Sequence, residues 1–118
     1  MTKREERQFI YEKYKGHCAY CGCELKKGWH VDHLEPVVRY NNQMAKPEND
    51  TIQNKMPSCP SCNINKHSMA LEEFRKSIIR YVESLNNYSV QYKMAKKYGL
   101  ITETNKVVKF YFEQYEVK

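Results

Sequence analysis

Two cysteine pairs, Cys18-Ala19-Tyr20-Cys21 and Cys59-Pro60-Ser61-Cys62, flank an Asp32-His33 step, and Asn63 follows the second pair directly. Four thiolates from two Cys-x-x-Cys turns suit the soft tetrahedral shell that Zn²⁺ prefers. Each turn places two sulfurs on one side of the ion while its backbone N–H groups soften their charge, and Gly22 after Cys21 suits such a turn. One ion held by Cys18, Cys21, Cys59 and Cys62 staples both ends of the segment between them. A disulfide or a thioredoxin-like redox site explains the pattern less well, because neither requires two pairs at this spacing. Cys23 is left over, and a free thiol beside the zinc turn is a simpler reading than ligand exchange with Cys21.

His33 alone would read as a packed or surface histidine, and Asp32 alone as a solvated carboxylate. Inside a zinc-stapled segment, with Asn63 next to the last thiolate, they read as a hydrolytic site. Hydrolysis of a phosphodiester needs a water made nucleophilic and an ion to neutralise charge on the phosphate and the leaving oxygen. A neutral imidazole at His33 meets the first need. The carboxylate of Asp32 and the amide oxygen of Asn63 are hard ligands suited to Mg²⁺ or Mn²⁺, with water and substrate phosphate in the remaining positions. Neighbours in a regular strand point to opposite faces, so a distorted strand end is expected at Asp32 and His33. Lys66 and His67, three and four residues past Asn63, share its side of a helix. Lys66 is a candidate phosphate contact, and His67 a candidate third metal ligand or leaving-group contact. His30 has a structural or substrate-contact role in this reading, and His17 carries no signal beyond composition.

The 118 residues carry a formal charge of +6. Four thiolates around a divalent ion would lower it to about +4, still basic and favouring a polyanionic partner. A chain of this length buries only about 65% of its unfolded surface, so a structural metal would matter to folding. No run of 18 apolar residues appears. The N-terminal Met1-Thr2-Lys3-Arg4-Glu5-Glu6-Arg7 lacks the apolar stretch of a signal peptide. A reducing, cytoplasmic compartment is expected, where paired Cys-x-x-Cys motifs are more often metal sites than disulfides.

Residues 3–15 predict a charged helix with Phe9, Ile10 and Tyr14 on its apolar side, ended by Gly16. Residues 18–23 predict a tight turn, and Trp29 to Leu34 a strand stopped by Pro36. Residues 35–53, with Asn41-Asn42 and Pro47-Glu48-Asn49-Asp50, read as a polar loop too long for a simple hairpin. A short helix is expected to start near Asn63 and to run to about His67. A second follows from Ser68 to about Leu85, where Leu71, Phe74, Ile78, Val82 and Leu85 form a core stripe and leave Arg75, Lys76 and Arg80 on the other face. Val90, Met94 and Tyr98 suggest a helix closed by Gly99, and the alternation over residues 108–113 suggests a C-terminal strand. No repeat or linker separates a second domain, so a single domain over 1–118 is expected. DNA binding by charge would draw on Lys66, Arg75, Lys76 and Arg80, with Lys93, Lys96 and Lys97 beyond.

The motif order resembles the HNH endonucleases of the ββα-metal (His-Me finger) group, in the subgroup with a four-cysteine zinc site. The correspondence runs through Cys18-x-x-Cys21, Asp32-His33, Asn54, Cys59-x-x-Cys62, Asn63 and Lys66, with Asn63 where the family name has its final His. The resemblance implies an α+β fold: a small ββα core over 18–67 stapled by zinc, flanking helices, a helical extension over 68–118 and the C-terminal strand. It also implies a DNA phosphodiester hydrolase with His33 as general base, Asp32 and Asn63 on a catalytic Mg²⁺ or Mn²⁺, and Asn54 bracing the loop that orients His33. Such modules work in the cytoplasm of bacterial or phage-infected cells, and small nucleases that cut both strands often act as homodimers. Two other classes compete with this reading: a zinc-knuckle DNA-binding module without chemistry, and a zinc-stabilised protein adaptor. A pure binder gains nothing from Asp32, His33 and Asn63 together, and an adaptor predicts no salt-sensitive binding of nucleic acid.

Overall fold

Thr2 starts the first helix through a reciprocal cap. Its hydroxyl accepts from the Glu5 N–H at 3.1 Å, and the Glu5 carboxylate accepts from the Thr2 N–H at 3.2 Å. In the computed structural model, which describes residues 1–115, this helix α1 spans Lys3–Glu12. Gly16 ends the turn that follows at φ +80°, and a Cβ there would lie 2.6 Å from the Tyr11 hydroxyl oxygen. Of the expected apolar side, Ile10 is buried and Tyr14 half-buried, but Phe9 is exposed. Phe9 neighbours Ile10 in sequence and so lies about 100° round the helix from it, off the narrow buried stripe.

The first cysteine pair sits in a turn closed by the Cys18 N–H on the Cys23 carbonyl and the Gly22 N–H on the Cys18 carbonyl. From there the chain enters β1 (His30–His33), which pairs antiparallel with β4 (Lys55–Ser58) in the register His30 to Ser58 and His33 to Lys55. The Ala19 N–H donates to the Pro57 carbonyl, so the cysteine turn is bonded directly to β4. Helix α2 (Pro60–Lys66) follows β4 at once. It starts three residues earlier than the Asn63 start expected from sequence, because Cys59 caps it and Pro60, with its φ already set for a helix, occupies the first turn. Cys62 and Asn63 therefore sit on a rigid helix. Strands β1 and β4 with α2 form a ββα unit in an α+β fold.

The segment expected to be a plain polar loop contains β2 (Arg39–Tyr40) and β3 (Gln43–Met44), then two 3-10 turns, Pro47–Asn49 and Ile52–Asn54. Asn41 and Asn42, at φ 50° and 63°, make the two-residue tip of this hairpin. Asparagine tolerates the left-handed region that such a turn demands at both central positions, which is why a loop signal and a hairpin tip look alike in sequence.

Residues 72–108 form a second compact unit; residues 1–71 with the stretch from Lys109 form the first. In the second unit, α3 (Leu71–Tyr88) carries the expected stripe, but only Phe74 is buried; Val82 and Leu85 are exposed. One short helix and an extended segment leave the C-terminal end of the stripe on this 18-residue helix uncovered. Ser89 caps α4 (Val90–Lys97), and Gly99 follows it at φ +76°. Glu103 ties the extended segment back through Asn86, Tyr92 and Lys96.

The expected strand over residues 108–113 does not form. The Glu113 carboxylate accepts from the Phe110 N–H at 2.8 Å and turns the chain into the short helix α5 (Tyr111–Gln114). The Tyr111 and Phe112 N–H groups donate instead to the carbonyls of Tyr20 and Ala19 in the cysteine turn. Phe110 is buried against Tyr20 with ring centroids 5.7 Å apart, so the alternation that suggested a strand reflects aromatic anchoring of the C-terminal stretch on the first cysteine turn.

Candidate metal centre and catalytic cleft

The Sγ atoms of Cys18, Cys21, Cys59 and Cys62 all lie within 4.8 Å of one another. A metal about 2.3 Å from each of four tetrahedral sulfurs needs S···S edges of about 3.8 Å. The Cys21 and Cys59 sulfurs are 3.8 Å apart. The four side chains are thus positioned to bind a metal ion. Electrostatics point the same way. A hydrogen bond from the Cys62 thiol, with further help from the backbone at Cys59, Cys21 and Tyr20, brings the Cys18 pKa to about 4 despite burial, while the Cys62 thiol itself is pushed up. The neighbouring thiol and backbone N–H groups thus favour the thiolate form of Cys18, the form that ligates. Cys23 stays outside the group of four; desolvation beside the cluster, then hydrogen bonding with Cys21, raises its thiol to about 12.

At the other end of β1, Asp32 is buried and both of its contacts fall on Oδ2: the Tyr20 hydroxyl donates at 2.5 Å and the Lys66 ammonium lies at 3.0 Å. Burial, and next the Asp32 charge, push the Tyr20 hydroxyl pKa far up, so it remains a donor. Lys66 Nζ also donates to the His33 carbonyl at 2.9 Å and is wholly buried. This corrects the assignment of Lys66 as a DNA-phosphate contact: its charge is consumed inside the fold, where it joins α2 to β1. Lys66→Ala would leave Asp32 buried without its cation, and a loss of about 3–5 kcal/mol is expected. Thermal unfolding checks this, and an unchanged Tm would contradict the buried pairing.

The β1–β4 ladder runs without a bulge to the His33–Lys55 pair, contrary to the expected distortion. Asp32 and His33 nevertheless line the same cleft, of about 510 Å³, because it lies across the strand end where the ladder stops. His33 Nε2 is 2.9 Å from Asp50 Oδ1. A carboxylate only accepts, so in the neutral imidazole Nε2 carries the proton and Nδ1 keeps the basic lone pair. Asp50 is held below the usual carboxylate range, chiefly by that hydrogen bond and next by Lys55, which itself pairs with Glu6 of α1. A depressed carboxylate stabilises the fold above its unfolded pKa of about 4, and that contribution is lost as the pH falls through the folded value. Asn54 braces the loop after β1: its Oδ1 accepts from the Glu35 N–H at 2.9 Å, and its Nδ2 donates to the Glu35 and Asn49 carbonyls at 2.8 and 2.7 Å.

Asn63 of α2 and His67, directly after that helix, also line the cleft. The Asn63 carboxamide makes no hydrogen bond among the described residues. His67 follows the helix at φ 53° with Nδ1 3.0 Å from the Ser68 hydroxyl. Arg39 of β2 lines the rim. Sequence reasoning missed Tyr20, Asp50 and Arg39. Tyr20 is hidden inside a cysteine motif, Asp50 lies 17 residues from its partner His33, and Arg39 depends on a hairpin read as loop.

Among the other basic residues singled out for DNA, Arg75 is held by Glu72 at 2.8 Å and by the Val108 carbonyl at 2.5 Å, and Lys96 pairs with Glu103 at 2.9 Å. Within the second unit, Arg75 thus also braces the helix against the extended segment. Lys76, Arg80, Lys93 and Lys97 are exposed. No helix among the described residues is long and apolar enough to cross a membrane.

No curated protein and no solved structure matches the chain. The family described as HNH endonuclease matches residues 18–69, an interval that contains all four metal-positioned cysteines together with Asp32, His33, Asn54 and Asn63. Over residues 18–69, the chain is similar to the HNH endonuclease family.

Proposed function

We propose that this protein is a metal-dependent endonuclease hydrolysing DNA phosphodiesters in the cleft between β1 and α2. The observation that carries the reading is the convergence of Asp32, His33, Asn63 and His67 on one open cleft beside a buried Asp32–Lys66 pair that fixes its wall. The four cysteines would hold a structural Zn²⁺. Asp32 and Asn63, with His67 as a further donor, would hold the Mg²⁺ or Mn²⁺ that supplies charge neutralisation at the phosphate and the leaving oxygen.

The residues divide the remaining work. Tyr20 and Lys66 fix one oxygen of Asp32 and leave Oδ1 for the cleft. His33 takes the proton of the attacking water on Nδ1, while Asp50 holds Nε2–H and steadies the imidazolium that forms. Asn54 keeps the loop beyond His33 in place. The metal reading requires reduced thiols and so a reducing compartment such as the cytoplasm. Two copies acting together would cut both strands.

Affinity for DNA is expected to fall steeply with salt, carried by Arg39, Lys76, Arg80, Lys93 and Lys97. Substituting any one of these to Gln reduces the slope of log K against log[salt] by about one where it meets a phosphate, whereas Lys66 substitutions leave the slope unchanged. A flat salt dependence in the wild type would favour a protein adaptor. The direct test of function is incubation of zinc-loaded protein with supercoiled plasmid, with and without Mg²⁺ or Mn²⁺. Nicked and linear products are expected only with the divalent ion; salt-sensitive binding without any cleavage would leave a zinc-bearing DNA-binding module.

A further inference from the structure

The β2–β3 hairpin begins at the wall of the cleft. Pro36, Val37, Val38 and Arg39 line that wall, and the base of the hairpin is fixed by the Ala45 and Lys46 N–H groups on the Val38 and Val37 carbonyls, with Val37 buried beneath it. Asn49 Nδ2 holds the Pro36 carbonyl at 3.0 Å. The ribbon is therefore a braced element with a two-residue tip.

Its outward chemistry is unusual for a surface turn. Residues 36–47 contain no acidic side chain and carry Arg39 and Lys46. Arg39 makes no side-chain hydrogen bond or ion pair among the described residues, although it stands at the rim of the hydrolytic cleft. Tyr40 is 74% exposed, and Asn41, Asn42 and Gln43 present three amide side chains to solvent. The turn itself accounts for asparagine at φ above zero. It does not account for an exposed tyrosine, an unpaired guanidinium and a further amide at Gln43.

We infer that this hairpin reads duplex DNA beside the cut, with Arg39 on a phosphate next to the scissile one and Tyr40, Asn41, Asn42 and Gln43 on base edges. The inference rests on the nuclease reading for the position of the cut. A two-stranded ribbon fits the major groove, and asparagine and glutamine amides match the paired donor and acceptor of adenine there. Guanidinium at the cleft rim and the absence of carboxylates over residues 36–47 complement a polyanion.

The test selects bound duplexes from a random-sequence library with zinc-loaded full-length protein without Mg²⁺, and maps cut sites separately with Mg²⁺. Wild type is expected to enrich particular bases at fixed distance from the cut. The double variant Asn41→Gly/Asn42→Gly keeps a backbone that accepts positive φ, and it should lose about tenfold of that enrichment per contacted base with an unchanged Tm. Tyr40→Ala should also reduce it. Arg39→Gln should weaken binding to all sequences alike and lower the salt slope by about one. A wild type that binds duplexes without base preference, or a double-glycine variant that enriches the same bases equally, would overturn the inference while leaving cleavage intact. A wild type that enriches bases yet cuts nothing with Mg²⁺ would keep the hairpin as a reader and overturn the nuclease reading. Failure to bind any duplex would overturn both and point to a protein partner at the tip.

Discussion

Stripping the metal is expected to unfold the unit built on residues 1–71. Structural zinc in small domains contributes on the order of 10–16 kcal/mol, whereas a whole domain is typically stable by only 5–15 kcal/mol. Here the four sulfurs join the first cysteine turn to the start of α2, and that turn also accepts the Tyr111 and Phe112 N–H groups and donates from Ala19 to β4. Losing the ion therefore loosens β4, α2 and the C-terminal anchor together. Cys18→Ser should have the largest effect of the four substitutions, because Cys18 alone of the four is fully buried. Melting temperature and zinc content should fall together in each cysteine variant and on chelation. A protein with less than half an equivalent of zinc and unchanged stability would contradict the structural role.

The cluster of four cysteines was legible because its spacing is its signal: two Cys-x-x-Cys turns need no long-range inference to be paired. Asp32, His33 and Asn63 were legible through order in the motif, and the structure brings all three to one cleft. Lys66 was misread because a lysine on the same helical side as Asn63 has no sequence mark distinguishing a buried partner of Asp32 from a phosphate contact. Burial of an ammonium depends on a carboxylate 34 positions earlier in the chain, which local periodicity does not report. The hairpin at 39–44 and the helix at 111–114 were missed for related reasons. Asparagine serves loops and primed turns alike, and alternating aromatics serve strands and anchors alike.

The buried Asp32–Lys66 pair also governs how substitutions at the site are to be interpreted. Asp32→Ala removes the carboxylate proposed to hold the catalytic ion and leaves Lys66 buried without its carboxylate partner, so it is expected to lower stability along with the response to Mg²⁺. Asn63→Ala is the cleaner probe, since the Asn63 side chain supports nothing else among the described residues. Asn63→His would supply the donor that the family name carries, and activity with Mg²⁺ or Mn²⁺ is expected to survive it in part.

His33→Ala carries the central claim. His33 contributes its carbonyl to Lys66 and its ring to Asp50. Alanine keeps the carbonyl and removes only the ring, so zinc content and DNA affinity should change little. A general base acts in the transition state, so the cleavage rate should fall by roughly 10²–10⁴. The decisive measurement is the rate of plasmid nicking by zinc-loaded His33→Ala and wild type at saturating Mg²⁺, with DNA binding measured on the same preparations. The account predicts that large loss in rate at nearly equal affinity; cleavage by His33→Ala at the wild-type rate would contradict it.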